Sequence, residues 1–346
     1  MAGLLHGCDC CHLTSRICSR QGASDLVVCE TCCYEHHVWL LRIFVAVIAG
    51  LGAASTAFVQ LAPETATRAI VAAERHRAGL VRREVLLPGG LRYVYLDGGR
   101  GEPLVLFHGF GADKDNFTRV ARFLTPHFRV IVPDHIGFGE SSHPIEVDYT
   151  ASAQATRLHA FVSALDLGRI HLGGSSMGGQ IALMYAAAYP TDVRSLWLLS
   201  PGGAGSAPSS ELVRIIEENG RNSLMARDER EFGEVFEFAM SDPPWVPRAI
   251  LDVMARDRMR NFALEEKIFE QVRGDFVEER VRGLATPSLI VWGREDRAIH
   301  VGAAEVLHAL MPRSRVIIMD GIGHLPMIEA PEDSANDYLR FRASLS

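Results

Sequence analysis

Cysteine is absent from most of the chain. All seven cysteines of the 346 residues fall within the first 33 positions: Cys8, Cys10, Cys11, Cys18, Cys29, Cys32 and Cys33. The remaining sequence therefore has neither the residues for a disulfide framework nor a cysteine nucleophile. For the same reason, its composition does not reveal the redox compartment.

The sequence also lacks a basic tract, and its basic residues are not interleaved with aromatic ones. The formal net charge is −7, with 22% charged and 48% apolar residues. Because nucleic-acid binding requires clustered Lys and Arg, we expect no nucleic-acid partner. The composition is that of a globular protein with enough apolar residues for a sizeable core.

A third absence is that of charge between Ile43 and Pro63. This apolar run, taken as residues 38–63, has the length of a short membrane-spanning helix. We predict a hydrophobic segment that attaches the protein to a membrane. The alternatives are a signal segment, with export to the periplasm or medium after cleavage near 53–57, and a soluble core helix. Residues 64–82 are predicted to form a linker helix, lying free or against the membrane surface.

The leader, residues 1–37, carries the sequences Cys-Asp-Cys-Cys-His and Cys-Glu-Thr-Cys-Cys-Tyr-Glu-His-His. Thiolates and imidazoles are the preferred ligands of zinc. Their spacing does not form two Cys-x-x-Cys pairs, however, so we predict a disordered leader without metal. A zinc site, or upstream sequence included by a wrongly chosen start, remains an alternative.

Strand-like and helical patterns alternate over residues 83–346, which predicts one α/β domain. Such alternation is typical of a mainly parallel sheet with helices on both faces. Ligand sites in these sheets lie at the carboxyl ends of the strands. Seven predicted strands cover residues 85–88, 91–96, 103–109, 128–134, 193–200, 287–293 and 315–320. A further strand is predicted in the apolar run that starts at Ile170 and leads into the Gly-x-Ser-x-Gly sequence.

The alternation is interrupted at about 203–283, where four helical patterns follow one another without a convincing strand. We predict a helical cap inserted before the strand that ends near Asp296. Its apolar residues exceed what packing against the sheet domain requires, which indicates an acyl-chain site. The candidate substrate-binding residues are Phe232, Phe236, Met240 and Trp245.

Ser176 is the candidate nucleophile. It lies in Gly-x-Ser-x-Gly between a predicted strand and a predicted helix. Gly174 and Gly178 stand where a side chain would collide with the backbone, and the sharp turn exposes the serine hydroxyl. The following helix directs N–H groups towards an anion formed there.

A serine nucleophile requires a base, and the base requires an orienting acid. His324, in a glycine-rich turn after the last strand, is the predicted base. Asp296, at the end of the preceding strand, is the predicted acid, with Glu295 as its competitor. The other candidates considered are His108, His135, His159, His171, His300, His308 and Asp134.

Two backbone N–H groups are predicted to hold the oxyanion. One belongs to Met177, which follows the nucleophile. The other belongs to Phe110, in a glycine-containing loop directly after a buried strand.

From about residue 83 to its end, the chain resembles the α/β-hydrolase superfamily. It is similar to bacterial family V lipases and esterases, and to membrane-anchored monoacylglycerol lipases. The resemblance rests on five segments: His108–Phe117, Pro133–Ser141, Gly174–Gly179, Trp292–Asp296 and Gly323-His324. The chain departs from many relatives at His135-Ile136, where they have Leu-Pro or a similar pair.

The resemblance implies a cofactor-independent serine ester hydrolase acting on lipid-like acyl esters such as acylglycerols. One alternative is a C–C bond hydrolase of meta-cleavage products, which would use the same three residues. Another is a non-catalytic binding protein of the same fold, although such proteins usually lack one of the three.

Overall fold

The computed structural model describes Asp25–Leu345, with side chains from Val38 onward except at positions 51 and 55. The chain divides into two units at Ala62/Pro63, which are described separately. The cysteines and histidines of the alternative zinc site fall outside the residues whose side chains are described.

The first unit is described as one helix, α1 (Asp25–Leu61). Its segment Val38–Leu61 has a mean hydropathy of 2.0 and is long and apolar enough to cross a membrane. Over residues 25–37 the structure has helix where the sequence predicted a disordered leader. These residues contain neither proline nor glycine, so nothing in their sequence interrupts a helix upstream of the apolar segment.

The second unit begins with α2 (Pro63–Arg77). Proline at the first position and Glu64 in the first turn both favour a helix start. Arg75 donates two hydrogen bonds to the Asp115 carboxylate, at 2.6 and 2.5 Å, which attaches α2 to the sheet domain. The strand pairing that follows starts at Leu80, so the sheet begins inside the predicted linker 64–82.

The sheet has eight strands within the described residues, in the order β1-β2-β4-β3-β5-β6-β7-β8. The pairs β1–β2 and β2–β4 are antiparallel and the others parallel. This confirms the predicted mainly parallel sheet. The strands are β1 (Leu80–Leu86), β2 (Arg92–Gly99), β3 (Glu102–Phe107), β4 (Phe128–Pro133), β5 (Ile170–Ser175), β6 (Val193–Leu199), β7 (Ser288–Gly293) and β8 (Ser314–Met319).

Helices cover both faces of this sheet, as predicted. Leu104 and Leu106 of β3 belong to the apolar cluster on one face, while Val105 and Phe107 belong to the cluster on the other. This follows from the two-residue period of a strand. The covering helices are α3 (Thr118–Leu124), α4 (Ala151–Ala164), α5 (Met177–Ala188), α11 (Ala303–Leu310), α12 (Pro326–Glu329) and α13 (Pro331–Ala343), with a short 3₁₀ helix at Lys114–Phe117.

The predicted cap is present between β6 and β7. Its four main helices begin and end close to the four helical patterns of the sequence, and one short helix follows them. They are α6 (Glu211–Asn219), α7 (Glu229–Ala239), α8 (Arg248–Met259), α9 (Phe262–Arg273) and α10 (Glu278–Val281). One small apolar cluster lies within the cap, and a second joins Leu212 and Phe238 of the cap to Ala298, which follows β7.

Candidate active site

Ser176 occupies a strained turn between β5 and α5. Its backbone has φ 54° and ψ −121°, a region that is costly for a residue with a side chain. The turn requires glycine on both sides. A Cβ on Gly174 would lie 2.3 Å from the Gly178 carbonyl oxygen, and a Cβ on Gly178 would lie 2.0 Å from that of Phe107. The strain is the expected consequence of exposing the hydroxyl above the sheet.

The backbone of Ser176 is fixed by three hydrogen bonds. Its N–H donates to the Leu199 carbonyl at 3.0 Å, and its carbonyl accepts from the N–H groups of Gln180 and Gly202. The side chain lies at the amino end of α5, and the residue is only 9% exposed. The hydroxyl therefore has a defined position near the positive end of the helix dipole.

His324 and Asp296 are brought together although β8 separates them in the sequence. His324 Nδ1 lies 2.7 Å from Asp296 Oδ2, and both side chains are almost completely buried. The other carboxylate oxygen accepts from the N–H groups of Ala298 and Ile299, each at 2.9 Å. Trp292 Nε1 donates to Asp296 Oδ2 at 3.0 Å. This set of donors suits an ionised carboxylate that holds an imidazole with its Nδ1 protonated.

The second ring nitrogen of His324 is the group available for chemistry. Nε2 is buried and has no hydrogen-bond partner among the described residues. Buried polar atoms are rarely left unpaired, so this orphan nitrogen marks a functional position. No hydrogen bond joins it to Ser176 Oγ in the described part of the chain, and such bonds commonly tighten only when substrate binds.

The loop that carries His324 is attached to the cap. The His324 N–H donates to the Ala239 carbonyl at 2.8 Å. The Glu329 carboxylate accepts hydrogen bonds from backbone N–H groups of both the cap and this loop: Ser241, Asp242, Gly323 and Leu325. Sequence reasoning missed Glu329 and Trp292, because their partners depend on how remote segments pack.

The loop that carries Phe110, residues 108–112, lies beside Ser176 and is called the oxyanion loop below. A Cβ on Gly109 would be 3.2 Å from Ser176 Cβ, so the residue before Phe110 is in contact with the nucleophile. Met177 is the first residue of α5 and is buried. Ala112 N–H donates to the Gly109 carbonyl at 3.3 Å, which closes the loop into a turn around Phe110.

Two neutral histidines support this loop from the sheet domain. The rings of His108 and His135 lie 4.4 Å apart. His135 N–H donates to His108 Nε2 at 3.0 Å, and His135 Nε2 lies 3.1 Å from the His108 carbonyl oxygen. Burial lowers the pKa of His108 to about 4 and the pKa of His135 well below its ordinary value. His135, where the chain departs from its family pattern, thus contributes to loop structure in its neutral form.

This arrangement predicts a pH-dependent stability. The unfolded chain binds a proton at position 135 near pH 6.5, whereas the folded protein does not until far lower pH. The contribution of His135 to stability is therefore complete above pH 6.5 and is lost as pH falls, at up to about 1.4 kcal/mol per pH unit. The amide of His135→Gln keeps a donor for the His108 carbonyl but does not titrate. In this variant the contribution of position 135 to the pH dependence of the unfolding free energy should therefore be absent.

Urea unfolding of both proteins at pH 7, 6 and 5 measures the slope. Burial raises the pKa of Asp113 to about 7, and also raises that of Glu265. These two carboxyls change the stability with the opposite sign, and His108 changes it with the same sign as His135. All three groups are present in both proteins. The difference in unfolding free energy between the two proteins should therefore change steadily below pH 6.5. If the unfolding free energies of the two proteins changed in parallel with pH, His135 would not be held neutral in the folded protein.

The competing candidates lie in other environments. Asp134 is buried and accepts from Lys114 Nζ at 2.9 Å and from the Glu140 N–H at 2.8 Å, so it joins two loops. Glu295 is exposed. His171 contacts Ser195 and Glu102 near the amino ends of the parallel strands, whereas Ser176, Asp296 and His324 follow their carboxyl ends.

The four candidate substrate-binding residues do not share one surface. Phe232 and Phe236 pack against each other inside the cap, with ring centroids 5.3 Å apart. Met240 is buried where the cap meets the His324 loop. Trp245 is 85% exposed and therefore is not buried over the catalytic centre. It follows two prolines and precedes another by two positions, so the segment cannot form a helix that would turn it inward.

Comparison with known proteins identifies the family of the chain. The family model described as alpha/beta hydrolase fold matches residues 102–331. Lipase 1 of Psychrobacter immobilis is 42% identical over 287 residues, which cover 81% of this chain and 89% of that protein. Monoacylglycerol lipase ABHD6 of Mus musculus is 28% identical over 263 residues, covering 71% and 78% of the two chains.

Among solved structures, a bacterial membrane phospholipase A, described as a virulence factor, aligns with a TM-score of 0.79. It shares 36% identity, and the alignment covers 90% of this chain and 98% of that one. The family model spans most of the sheet domain together with the cap. The chain thus belongs to the α/β-hydrolase family and is a carboxylic ester hydrolase of the lipase/esterase kind.

Proposed function

We propose that the protein hydrolyses acyl esters of glycerol-based lipids through an acyl-enzyme formed on Ser176. The observation that carries this proposal is the buried His324–Asp296 hydrogen bond of 2.7 Å, which leaves His324 Nε2 without a partner among the described residues. A base oriented in this way is what a serine nucleophile requires.

The chemistry proceeds in two matched halves. Ser176 Oγ attacks the ester carbonyl carbon, and His324 Nε2 takes its proton. The N–H groups of Phe110 and Met177 stabilise the oxyanion. The C–O bond then breaks, and His324 returns the proton to the leaving alcohol. Water repeats the sequence on the acyl-enzyme, releasing the carboxylic acid and restoring the hydroxyl of Ser176. Asp296 stabilises the imidazolium in both halves, and no step requires a cofactor.

The lipid assignment is supported by the names of the relatives. Two relatives are named as a lipase and a monoacylglycerol lipase, and one structural relative as a membrane phospholipase A. All three names denote enzymes that act on lipids, and two of them name an acylglycerol or a phospholipid.

We further propose that α1 holds the protein at a membrane, where such substrates reside. The segment Val38–Leu61 supports this by its length and hydropathy. The alternative is cleavage as a signal segment, followed by export. The intact mass of the mature protein distinguishes the two, because cleavage near 53–57 removes the leader and most of the apolar segment.

A substrate profile tests the function. The assay compares p-nitrophenyl acetate to palmitate, mono-, di- and triacylglycerols, a glycerophospholipid, and a meta-cleavage product. We expect kcat/KM to be higher for at least one glycerol-based lipid and its matching longer-chain ester than for the acetate. We expect negligible turnover of the meta-cleavage product. Exclusive turnover of that compound would instead identify a C–C bond hydrolase.

A further inference from the structure

Arg258, near the end of the cap helix α8, forms an ion pair with Glu265 of α9. The Arg258 Nη2 atom lies 2.6 Å from Glu265 Oε2, with side-chain exposures of 16% and 6%. Arg258 Nε also donates to both carboxylate oxygens, at 2.9 and 3.0 Å. A further bond joins Nη2 to the Leu224 carbonyl at 3.3 Å. The guanidinium is therefore held in one orientation by its own cap.

The free end of this guanidinium reaches the oxyanion loop. Arg258 Nη1 donates to the Gly111 carbonyl at 2.6 Å. The guanidinium carbon lies 5.9 Å from the centroid of the Phe110 ring, and Phe269 of α9 contacts the same ring at 5.3 Å. The cap thus contacts the loop both at a carbonyl and at a side chain.

The sequence of the loop permits this contact. Gly111 has φ 66°, and a Cβ there would lie 2.2 Å from the Arg258 guanidinium. Only glycine fits both the conformation and the space. The close approach of Arg258 is therefore built into the loop as well as into the cap.

We propose that Arg258, oriented by Glu265, is a positioning residue that fixes the oxyanion loop of the hydrolase. The hydrogen bond to the Gly111 carbonyl and the packing on Phe110 together restrict the backbone at Phe110. That backbone sets the direction of the Phe110 N–H. The cap therefore takes part in acyl transfer itself, in addition to any contact it makes with substrate. This inference rests on the proposed function, because it requires the loop to hold an oxyanion.

Arg258→Met tests the proposal with p-nitrophenyl acetate, whose acyl group is too small to depend on the cap. The stability of a hydrogen bond to a charged group corresponds to about a 30-fold ratio, so kcat should fall by up to that factor with KM nearly unchanged. The rate of covalent labelling by a fluorophosphonate should fall in parallel, because its phosphoryl oxygen occupies the same oxyanion site.

Folding effects are separated by a second variant. Arg258→Met alone leaves the Glu265 carboxylate buried and unpaired, which is destabilising. The double variant Arg258→Met/Glu265→Met removes both charges and should recover thermal stability while keeping the low kcat. Arg256→Met is the matched control. Arg256 is on the same helix, and its ion pair with Glu64 is exposed, so kcat should stay at the wild-type value.

The kcat of the stable double variant distinguishes a role of Arg258 in catalysis from a purely structural one. Low kcat in a stable double variant, with Arg256→Met unaffected, supports the proposal. Wild-type kcat in the stable double variant shows that the pair is only structural and overturns it. If Ser176→Ala, assayed in parallel, keeps full activity, the proposed function fails and the inference fails with it.

Discussion

Ser176→Ala should lower kcat for p-nitrophenyl esters by about 10⁶-fold, to the level of oxyanion stabilisation and substrate binding alone. The variant loses the only atom that forms the acyl-enzyme, and His324 then has no proton to take. Stability should be almost unchanged, because alanine keeps the Cβ and the backbone hydrogen bonds of the turn remain. Initial rates and a thermal melt of the same preparation measure both quantities.

The neighbouring serine provides a matched control. Ser175 is the last residue of β5, is fully buried, and its hydroxyl has no hydrogen-bond partner among the described residues. Ser175→Ala should therefore retain activity within a few-fold of the wild type. Activity lost in Ser175→Ala but kept in Ser176→Ala would move the nucleophile by one residue and refute the strained-turn argument.

Asp296→Asn should lower kcat by about 10⁴-fold while preserving the fold. The amide can still accept from the N–H groups of Ala298 and Ile299. The NH₂ group of the same side chain then faces His324, stabilises the wrong tautomer and provides no negative charge for the imidazolium. Trp292 Nε1 loses the Oδ2 acceptor but keeps the Ile299 carbonyl at 3.3 Å. Steady-state rates across pH 6 to 9 measure the loss.

Glu295→Gln serves as the comparison for Asp296→Asn. Glu295 is the adjacent acid and is exposed, so its substitution should leave kcat unchanged. A large loss in Glu295→Gln with a small one in Asp296→Asn would reverse the assignment of the acid.

The sequence predicted the sheet, the helices and the cap because each depends on local patterns. Apolar runs such as Leu104–Phe107 can be read as buried strands without knowledge of their neighbours, and the turn around Ser176 is specified by its own glycines. The relation between Asp296 and His324 follows from the rule that parallel strands place their carboxyl ends at one edge.

The remaining features depend on contacts between remote segments. Arg258 meets Gly111, and Glu329 meets the cap backbone, only after the cap has folded onto the sheet domain. The orientation of Trp245 also could not be predicted from the sequence. An apolar residue in a cap was expected to face inward, but outside a helix no periodicity determines which way it points.

The most direct test of the account is the site of covalent labelling in the full-length protein. A fluorophosphonate should add one adduct per chain, and tryptic mass spectrometry should find it in the peptide 170–194, with fragment ions assigning it to Ser176. His324→Ala should abolish the adduct. Labelling at another residue, or none in an active preparation, would contradict the serine mechanism.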